Sequence, residues 1–258
     1  MSSRSAQPWL SLTEAPRAGL DLASLIAVAP FLNFCPRGDG HPVVVMPGFL
    51  ADDDSTWLLR QFLTRLGYAA HPWGQDRNLG ASAMGGYEPL VNEILKLHRS
   101  HGKKVSLLGW SLGGVHSLAV AHRAEYAIRS VITLGSPLRP PSRDGSDMTS
   151  IGRALQTAAG TINARPIATP EKWRNMALKL SDNLPISSIY SKSDGVVPWQ
   201  RSQLEQGPRR ENIQVISSHI GLGFNPTVYY AIADRLAQAE DQFRAFNPSG
   251  LSRMVFPT

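Results

Sequence analysis

The sequence predicts an α/β protein with about six parallel strands flanked by helices. From residue 42 onward, short apolar runs of strand character alternate with amphipathic stretches of helical spacing. That alternation is typical of a parallel sheet covered by helices on both faces. At 258 residues and 42% hydrophobic content, the chain is long enough to build one sizeable core.

The elements follow in order along the chain. The β-branched run Pro42–Met46 is typical of a buried strand and ends abruptly in a proline-glycine pair. Further strands are predicted at 69–73, 104–108, 130–134, 186–190 and 212–217. Helices are predicted at 55–66, 87–101, 115–124 and 226–242. Together they describe a compact layered sandwich of helices around a single sheet.

The alternation stops between residues 136 and 184. Two amphipathic patterns, 148–159 and 170–180, predict an insertion that forms a small helical cap, although the same spacing also describes helices packed on the core. The candidate substrate-pocket residues are Trp110, Met148, Trp173 and Met176. The predicted organisation is an N-terminal extension (1–41), a core (42–137 and 184–246), a cap (138–183) and a C-terminal tail (247–258).

The N-terminal extension contains one apolar stretch. Residues 1–18 are expected to be irregular, and residues 20–34 to form an apolar helix that packs on the sheet or guards the substrate entrance. A cleaved signal peptide and a helix lying on a membrane surface are the alternatives. No run has the length of a membrane span. Cys35 is the single cysteine, which excludes an intrachain disulfide, and we expect a cytoplasmic protein.

The most informative motif is Gly109-Trp110-Ser111-Leu112-Gly113. It follows a strand-like run and precedes a helical stretch, the context of a G-x-S-x-G nucleophile elbow. In such an elbow the serine lies on a sharp turn with strained backbone geometry. Ser111 is therefore the candidate nucleophile.

A serine nucleophile needs a histidine base and an acid that orients the histidine. In this architecture the chain order is serine, acid, histidine. Asp194 follows the predicted strand 186–190, and His219 follows the predicted strand 212–217. Both side chains are thus expected on loops at the carboxyl edge of the sheet, as acid and base for Ser111.

Other candidates for these roles are weaker. His116 lies inside the predicted helix after the elbow and is better explained as a packed residue. Asp182 ends a predicted helix and not a strand. Neither lies on the kind of loop that carries catalytic groups.

The loop after the first strand is the expected source of an oxyanion hole. Pro47 and Gly48 break the strand, so the Phe49 N–H is predicted to bind the oxyanion together with the N–H of Leu112, which follows the nucleophile. Three aspartates, 52–54, come next. Three consecutive carboxylates cannot all face one ion, so a polar helix start is favoured over a metal site.

These motifs resemble the α/β-hydrolase superfamily, and within it bacterial lipases and esterases. The resemblance covers about residues 42–236 and depends on the segments 46–49, 109–114, 133–137, 193–198 and 218–221. It implies Ser111, Asp194 and His219 as catalytic residues and Phe49 and Leu112 as oxyanion donors. Two departures leave the substrate class open. Residues 138–141 read Leu-Arg-Pro-Pro, and no histidine precedes Gly48.

The predicted function is a carboxylic ester hydrolase that forms an acyl-enzyme and needs no cofactor or metal. An acyltransferase or amidase with the same triad, or a non-catalytic binding protein of this fold, are the alternatives. The net charge of +6 is scattered in short runs, which argues against a nucleic-acid partner. The expected partner is a small-molecule or lipid ester. Membrane-surface contact is not favoured, and the oligomeric state is not indicated.

Overall fold

A six-stranded, all-parallel sheet forms the centre of the molecule. The computed structural model describes residues 8–142, 147–163 and 180–257. The strands are β1 (Pro42–Met46), β2 (Ala69–Pro72), β3 (Val105–Trp110), β4 (Ile128–Leu134), β5 (Ile186–Ser191) and β6 (Arg210–Val215). Their order is β2-β1-β3-β4-β5-β6, and every pairing is parallel. This confirms the predicted fold class.

The described helices flank this sheet. They are α1 (Pro8–Leu12), α2 (Glu14–Val28), α3 (Trp57–Leu66), α4 (Glu88–His101), α5 (Leu112–Ala124), α6 (Ser150–Asn163) and α7 (Pro226–Leu236). The strand order reverses its direction of growth between β1 and β3. Ligands of parallel sheets bind beside such a reversal, at the carboxyl ends of the strands.

The two faces of the sheet carry separate hydrophobic clusters. Alternate residues of β1 divide between them, since Val43 and Val45 face α3 and α7 whereas Val44 and Met46 face α4 and α5. Successive strand side chains point to opposite faces, so a strand that is apolar throughout is buried on both sides. All five residues of β1 are buried, as the sequence predicted.

The N-terminal extension is more ordered than the sequence suggested. Residues 8–12 and 14–18 are helical, within α1 and α2, and are not irregular. Helix α2 ends at Val28, so the predicted helix of residues 20–34 begins earlier and stops sooner. The reason is tertiary: Leu25 packs into the core beside α7, and polar residues of α2 bind loops of the sheet edge.

The C-terminal helix is shorter than predicted. Helix α7 ends at Leu236, whereas the apolar pattern suggested 242. Ion pairing of Lys104 with Glu240, at 3.0 Å, and a hydrogen bond from Arg129 to the Gln238 carbonyl hold the following residues against the sheet. Tertiary contacts therefore stop the helix where the local pattern would have continued it.

The insertion is described in part. Helix α6 covers most of the predicted pattern 148–159 and continues to residue 163. Just before this helix, Thr149 Oγ1 donates to the Val196 carbonyl at 2.6 Å, which attaches the helix start to the sheet edge. Trp173 and Met176 lie outside the described residues. Leu180, at the end of the second pattern, packs in the core. A cap over the site remains a prediction. In the described ranges, no helix is both long and apolar enough to cross a membrane.

Candidate active site

The predicted elbow is a tight turn between β3 and α5. Ser111 has φ 53° and ψ −119°, a backbone conformation that non-glycine residues rarely adopt. A Cβ on Gly113 would lie 2.2 Å from the Met46 carbonyl oxygen, and one on Gly109 would lie 2.3 Å from the backbone of Gly114. Only glycine fits at these two close approaches. The motif spacing thus follows from packing of the turn against β1 and α5.

Three side chains from three loops meet at this turn. His219 Nε2 lies 3.0 Å from Ser111 Oγ, and His219 Nδ1 lies 2.7 Å from Asp194 Oδ2. Asp194 and His219 are buried, and Ser111 is half-buried. The structure therefore brings together the serine, acid and histidine that the sequence singled out, in hydrogen-bonding reach of one another.

The local backbone orients the acid. Asp194 Oδ1 accepts the N–H groups of Val196, at 2.8 Å, and Val197, at 2.7 Å. This leaves Oδ2 for the imidazole. A carboxylate held in this way keeps the proton of the neutral imidazole on Nδ1 and leaves Nε2 free to accept the serine proton.

The electrostatics favour the protonated imidazole. Burial alone would lower the pKa of His219, but the charges of Asp194 and Glu14 and the hydrogen bond to Asp194 outweigh it and raise that pKa above 6.5. A base with a raised pKa accepts a proton readily. The site can thus hold positive charge on His219 once Ser111 has lost its proton.

The loop after β1 lies directly beside the serine. A Cβ on Gly48 would lie 3.3 Å from Ser111 Cβ, so the loop approaches the elbow closely. Leu112 is the first residue of α5, and its N–H therefore has no carbonyl partner within the helix. That Phe49 and Leu112 donate to an oxyanion remains a prediction, and the position of the loop is compatible with it.

A buried polar network, which no sequence pattern indicated, supports this loop. The Asn78 side chain donates from Nδ2 to the Pro47 carbonyl at 2.8 Å. The Asn78 backbone carbonyl accepts the Leu50 N–H at 2.8 Å. His116 Nε2 lies 3.1 Å from Asn78 Oδ1, and Tyr87 Oη lies 3.0 Å from His116 Nδ1. Burial lowers the pKa of His116 to about 4. A neutral His116 donates to Asn78 and accepts from Tyr87.

Two of the predicted pocket residues, Trp110 and Met148, lie in the described part of the chain. Trp110 donates from its indole N–H to the His219 carbonyl at 3.1 Å and packs against Phe224, so it supports the base loop. Met148 is buried within the insertion, two residues before α6. A contact of either residue with substrate remains a prediction, as it does for Trp173 and Met176.

The alternative groups are used elsewhere. His116 is buried in the Asn78 network, and Asp182 is exposed and lies 3.8 Å from Arg210. The carboxylates that follow Gly48 serve local structure, since Asp53 accepts the N–H groups of Trp73 and Gly74. Among the residues that the structure describes, no group of histidine, cysteine or acidic side chains could hold a metal ion.

The sheet order and the strand–elbow–helix turn define the molecule as a protein of α/β-hydrolase fold. Solved structures support this assignment. A monoacylglycerol lipase from Paleococcus ferrophilus aligns with a TM-score of 0.56 at 15% identity, covering 79% of this chain and 96% of that chain. Naproxen esterase from Bacillus subtilis aligns with a TM-score of 0.51 at 13% identity, covering 86% and 98%.

A third structure widens the range of similar proteins. The thioesterase domain from the curacin biosynthetic pathway aligns with a TM-score of 0.53 at 12% identity, covering 79% of this chain and 93% of that domain. No family model and no curated protein matches the chain. At these identities the structural similarity shows the fold.

Proposed function

We propose that the protein hydrolyses carboxylic esters through an acyl-enzyme on Ser111. The observation that carries this proposal is the unbroken hydrogen-bonded series from Ser111 Oγ through the His219 ring to Asp194 Oδ2. A nucleophile, a base and an orienting acid in this order are the parts that acyl transfer requires. Lipases and esterases among the proteins of similar fold support the choice of an ester substrate.

The proposed reaction runs in two halves. Ser111 Oγ attacks the acyl carbon while its proton passes to His219 Nε2, and the N–H groups of Phe49 and Leu112 bind the developing oxyanion. The tetrahedral intermediate then collapses, the C–O bond to the alcohol breaks, and the imidazolium gives its proton to the departing oxygen. Asp194 stabilises the imidazolium throughout.

Water completes the cycle. His219 takes a proton from a water molecule, the resulting hydroxide equivalent attacks the acyl-enzyme, and the proton returns to Ser111 Oγ as the ester bond to the enzyme breaks. The products are one carboxylic acid and one alcohol. Every proton moves through His219, so this mechanism needs no cofactor.

The test combines kinetics with covalent labelling. Ser111→Ala should lower hydrolysis of p-nitrophenyl butyrate by roughly 10⁴- to 10⁶-fold and abolish labelling by a fluorophosphonate probe. Ser24→Ala, at an exposed serine of α2, is the matched control and should keep both. A Ser111→Ala variant that retained more than a tenth of the wild-type rate would contradict the proposal. If p-nitrophenol were released only when an alcohol or amine was added, the protein would be an acyltransferase instead.

A further inference from the structure

Helix α2 contributes a buried carboxylate to the back of the candidate site. Glu14 lies in the first turn of α2 and is only 3% exposed. Its Oε1 accepts the N–H of Gly195 at 2.7 Å and the N–H of His219 at 3.1 Å, and its Oε2 accepts the N–H of Ile220 at 3.1 Å. One carboxylate thus binds the loop of the acid and the loop of the base.

Arg17 strengthens this attachment. It lies 3.0 Å from Glu14 Oε1 and donates to the Ser193 carbonyl at 2.7 Å. Residue 193 precedes the acid Asp194, so the ion pair is itself anchored on the acid loop. A buried charge is costly unless it is paired and hydrogen-bonded. Glu14 meets that condition with three backbone N–H groups and one guanidinium.

Two glycines of the loop motifs are explained by the same extension. A Cβ on Gly195 would lie 2.4 Å from the Leu10 carbonyl oxygen, and one on Gly221 would lie 1.7 Å from Asp21 Oδ2. Asp21 in turn accepts the Ser217 hydroxyl at 3.0 Å. The loops that carry Asp194 and His219 are therefore shaped to receive α1 and α2. Contact with the N-terminal extension is built into both.

The charge of Glu14 also acts on the base. The charged groups that face His219 are Asp194, from the loop after β5, and Glu14, from α2, with Arg17 paired behind Glu14. Asp21, also on α2, accepts the N–H of Ser218 next to the histidine at 3.2 Å. Both Asp194 and Glu14 raise the pKa of His219 against the effect of burial. Glu14 thus both holds the His219 loop in place and adds negative charge that favours the protonated imidazole.

We propose that Glu14 is a positioning residue for catalysis: it holds the His219 and Asp194 loops in one register and stabilises the imidazolium from behind. The inference rests on the proposed function, because it assigns a role in the reaction of Ser111. It makes the N-terminal helix part of the active-site support.

Glu14→Gln is the direct test. The amide keeps the size of the side chain but loses the charge and one of its two acceptor oxygens, so at least one backbone N–H loses its partner. We expect kcat for p-nitrophenyl butyrate to fall about 10- to 100-fold with KM little changed, because small displacements of reacting groups are costly. The acid limb of the pH profile should move to lower pH.

Glu211→Gln is the matched control. Glu211 is a half-buried carboxylate, with 9% of its side chain exposed, that likewise binds an arginine, Arg235 at 2.9 Å, and a backbone N–H, that of Phe246 at 2.6 Å. It lies near the start of β6, at the amino ends of the strands, whereas the candidate site lies at their carboxyl ends. This variant should lose stability as Glu14→Gln does, with kcat and the pH profile unchanged.

A second variant covers the case that Glu14→Gln does not fold. Glu14→Asp keeps the charge but shortens its reach, so kcat should fall while the acid limb stays in place. The imidazole pKa of His219, followed by NMR titration, gives a measurement that does not need turnover. If the wild type hydrolyses no ester, the proposed function fails, whereas the NMR comparison still tests Glu14. Wild-type kcat and an unmoved His219 pKa in the folded Glu14 variants would overturn the inference.

Discussion

At the scale of single residues, Asp194 divides its two oxygens between separate partners. Oδ1 accepts two backbone N–H groups, from Val196 and Val197, and Oδ2 faces His219 Nδ1. This division determines what an amide would do in its place. Two N–H donors at one end require the amide oxygen there, so the amide nitrogen would point at the imidazole.

Asp194→Asn should therefore lower kcat by about 10³- to 10⁴-fold. The amide N–H would donate to Nδ1, which leaves the proton on Nε2, and His219 could no longer accept the proton of Ser111. The measurement is steady-state hydrolysis of p-nitrophenyl butyrate. Asp182→Asn, at an exposed position, is the control and should keep the wild-type rate. A larger loss at Asp182 would require a different acid.

The pH dependence of the rate follows from His219. Only the neutral imidazole accepts the serine proton, so kcat/KM should rise with pH through the raised pKa of His219 and then level. Because that pKa is raised from 6.5, the acid limb should lie above pH 6.5. Rates measured from pH 5 to 9 check this. A midpoint below pH 6 would show that burial outweighs the two nearby carboxylates at His219 and would contradict this prediction.

At the scale of elements, helix α2 and the acid loop that packs against the N-terminal extension each contain a glycine, and only one of the two glycines is required by packing. Gly19 lies within α2, where an added Cβ would meet nothing within 4 Å. Gly195 lies on the acid loop, where a Cβ would lie 2.4 Å from the Leu10 carbonyl. Gly19 costs helix stability with no packing reason, whereas Gly195 is required by the contact with the N-terminal extension.

Gly19→Ala should stabilise the protein by about 0.5–1 kcal/mol, since alanine is the better helix residue at an open position. Gly195→Ala should lower both the melting temperature and kcat, because α1 must move away from the acid loop. Thermal melting and ester hydrolysis of the two variants are the measurements. Equal behaviour of the two variants would show that the extension does not press on the acid loop.

At the scale of the whole molecule, His116 joins segments that are distant in sequence. It lies on α5 and forms hydrogen bonds with Tyr87, just before α4, and with Asn78, in the loop between β2 and α4. The histidine is buried and uncharged, which couples the stability of the fold to pH. Unfolding releases it to its ordinary pKa of 6.5, from a folded pKa of about 4.

The sign of that coupling is set by the lowered pKa. Below pH 6.5 the unfolded chain binds a proton that the folded chain refuses until about pH 4, so stability falls through this window. The free energy of unfolding that His116 removes should reach about 2 kcal/mol at pH 5, because each pH unit below the unfolded pKa costs about 1.4 kcal/mol. Urea unfolding at pH 7 and pH 5 measures it.

His116→Gln removes this titration. The variant should be less stable at pH 7, and the drop in its free energy of unfolding between pH 7 and pH 5 should be smaller by that amount. The contribution of His219, whose raised pKa stabilises the fold at low pH and is lost as pH rises, is common to both proteins and cancels. His122→Gln, at an exposed histidine of the same helix, is the control. An unchanged pH slope in His116→Gln would contradict a neutral buried His116.

The local pattern of the chain determined the sheet, the elbow and the candidate triad. Strand runs bounded by glycine and proline place Ser111, Asp194 and His219 after three different strands, and parallel strands bring their carboxyl ends to one edge. Only the tertiary structure decided the rest. Glu14 and Asn78 bind backbone groups far away in sequence, and His116 binds the Asn78 side chain. Such partners leave no periodicity or spacing to recognise. The N-terminal helices form for the same reason, because their polar residues are bound by loops that exist only once the sheet has assembled.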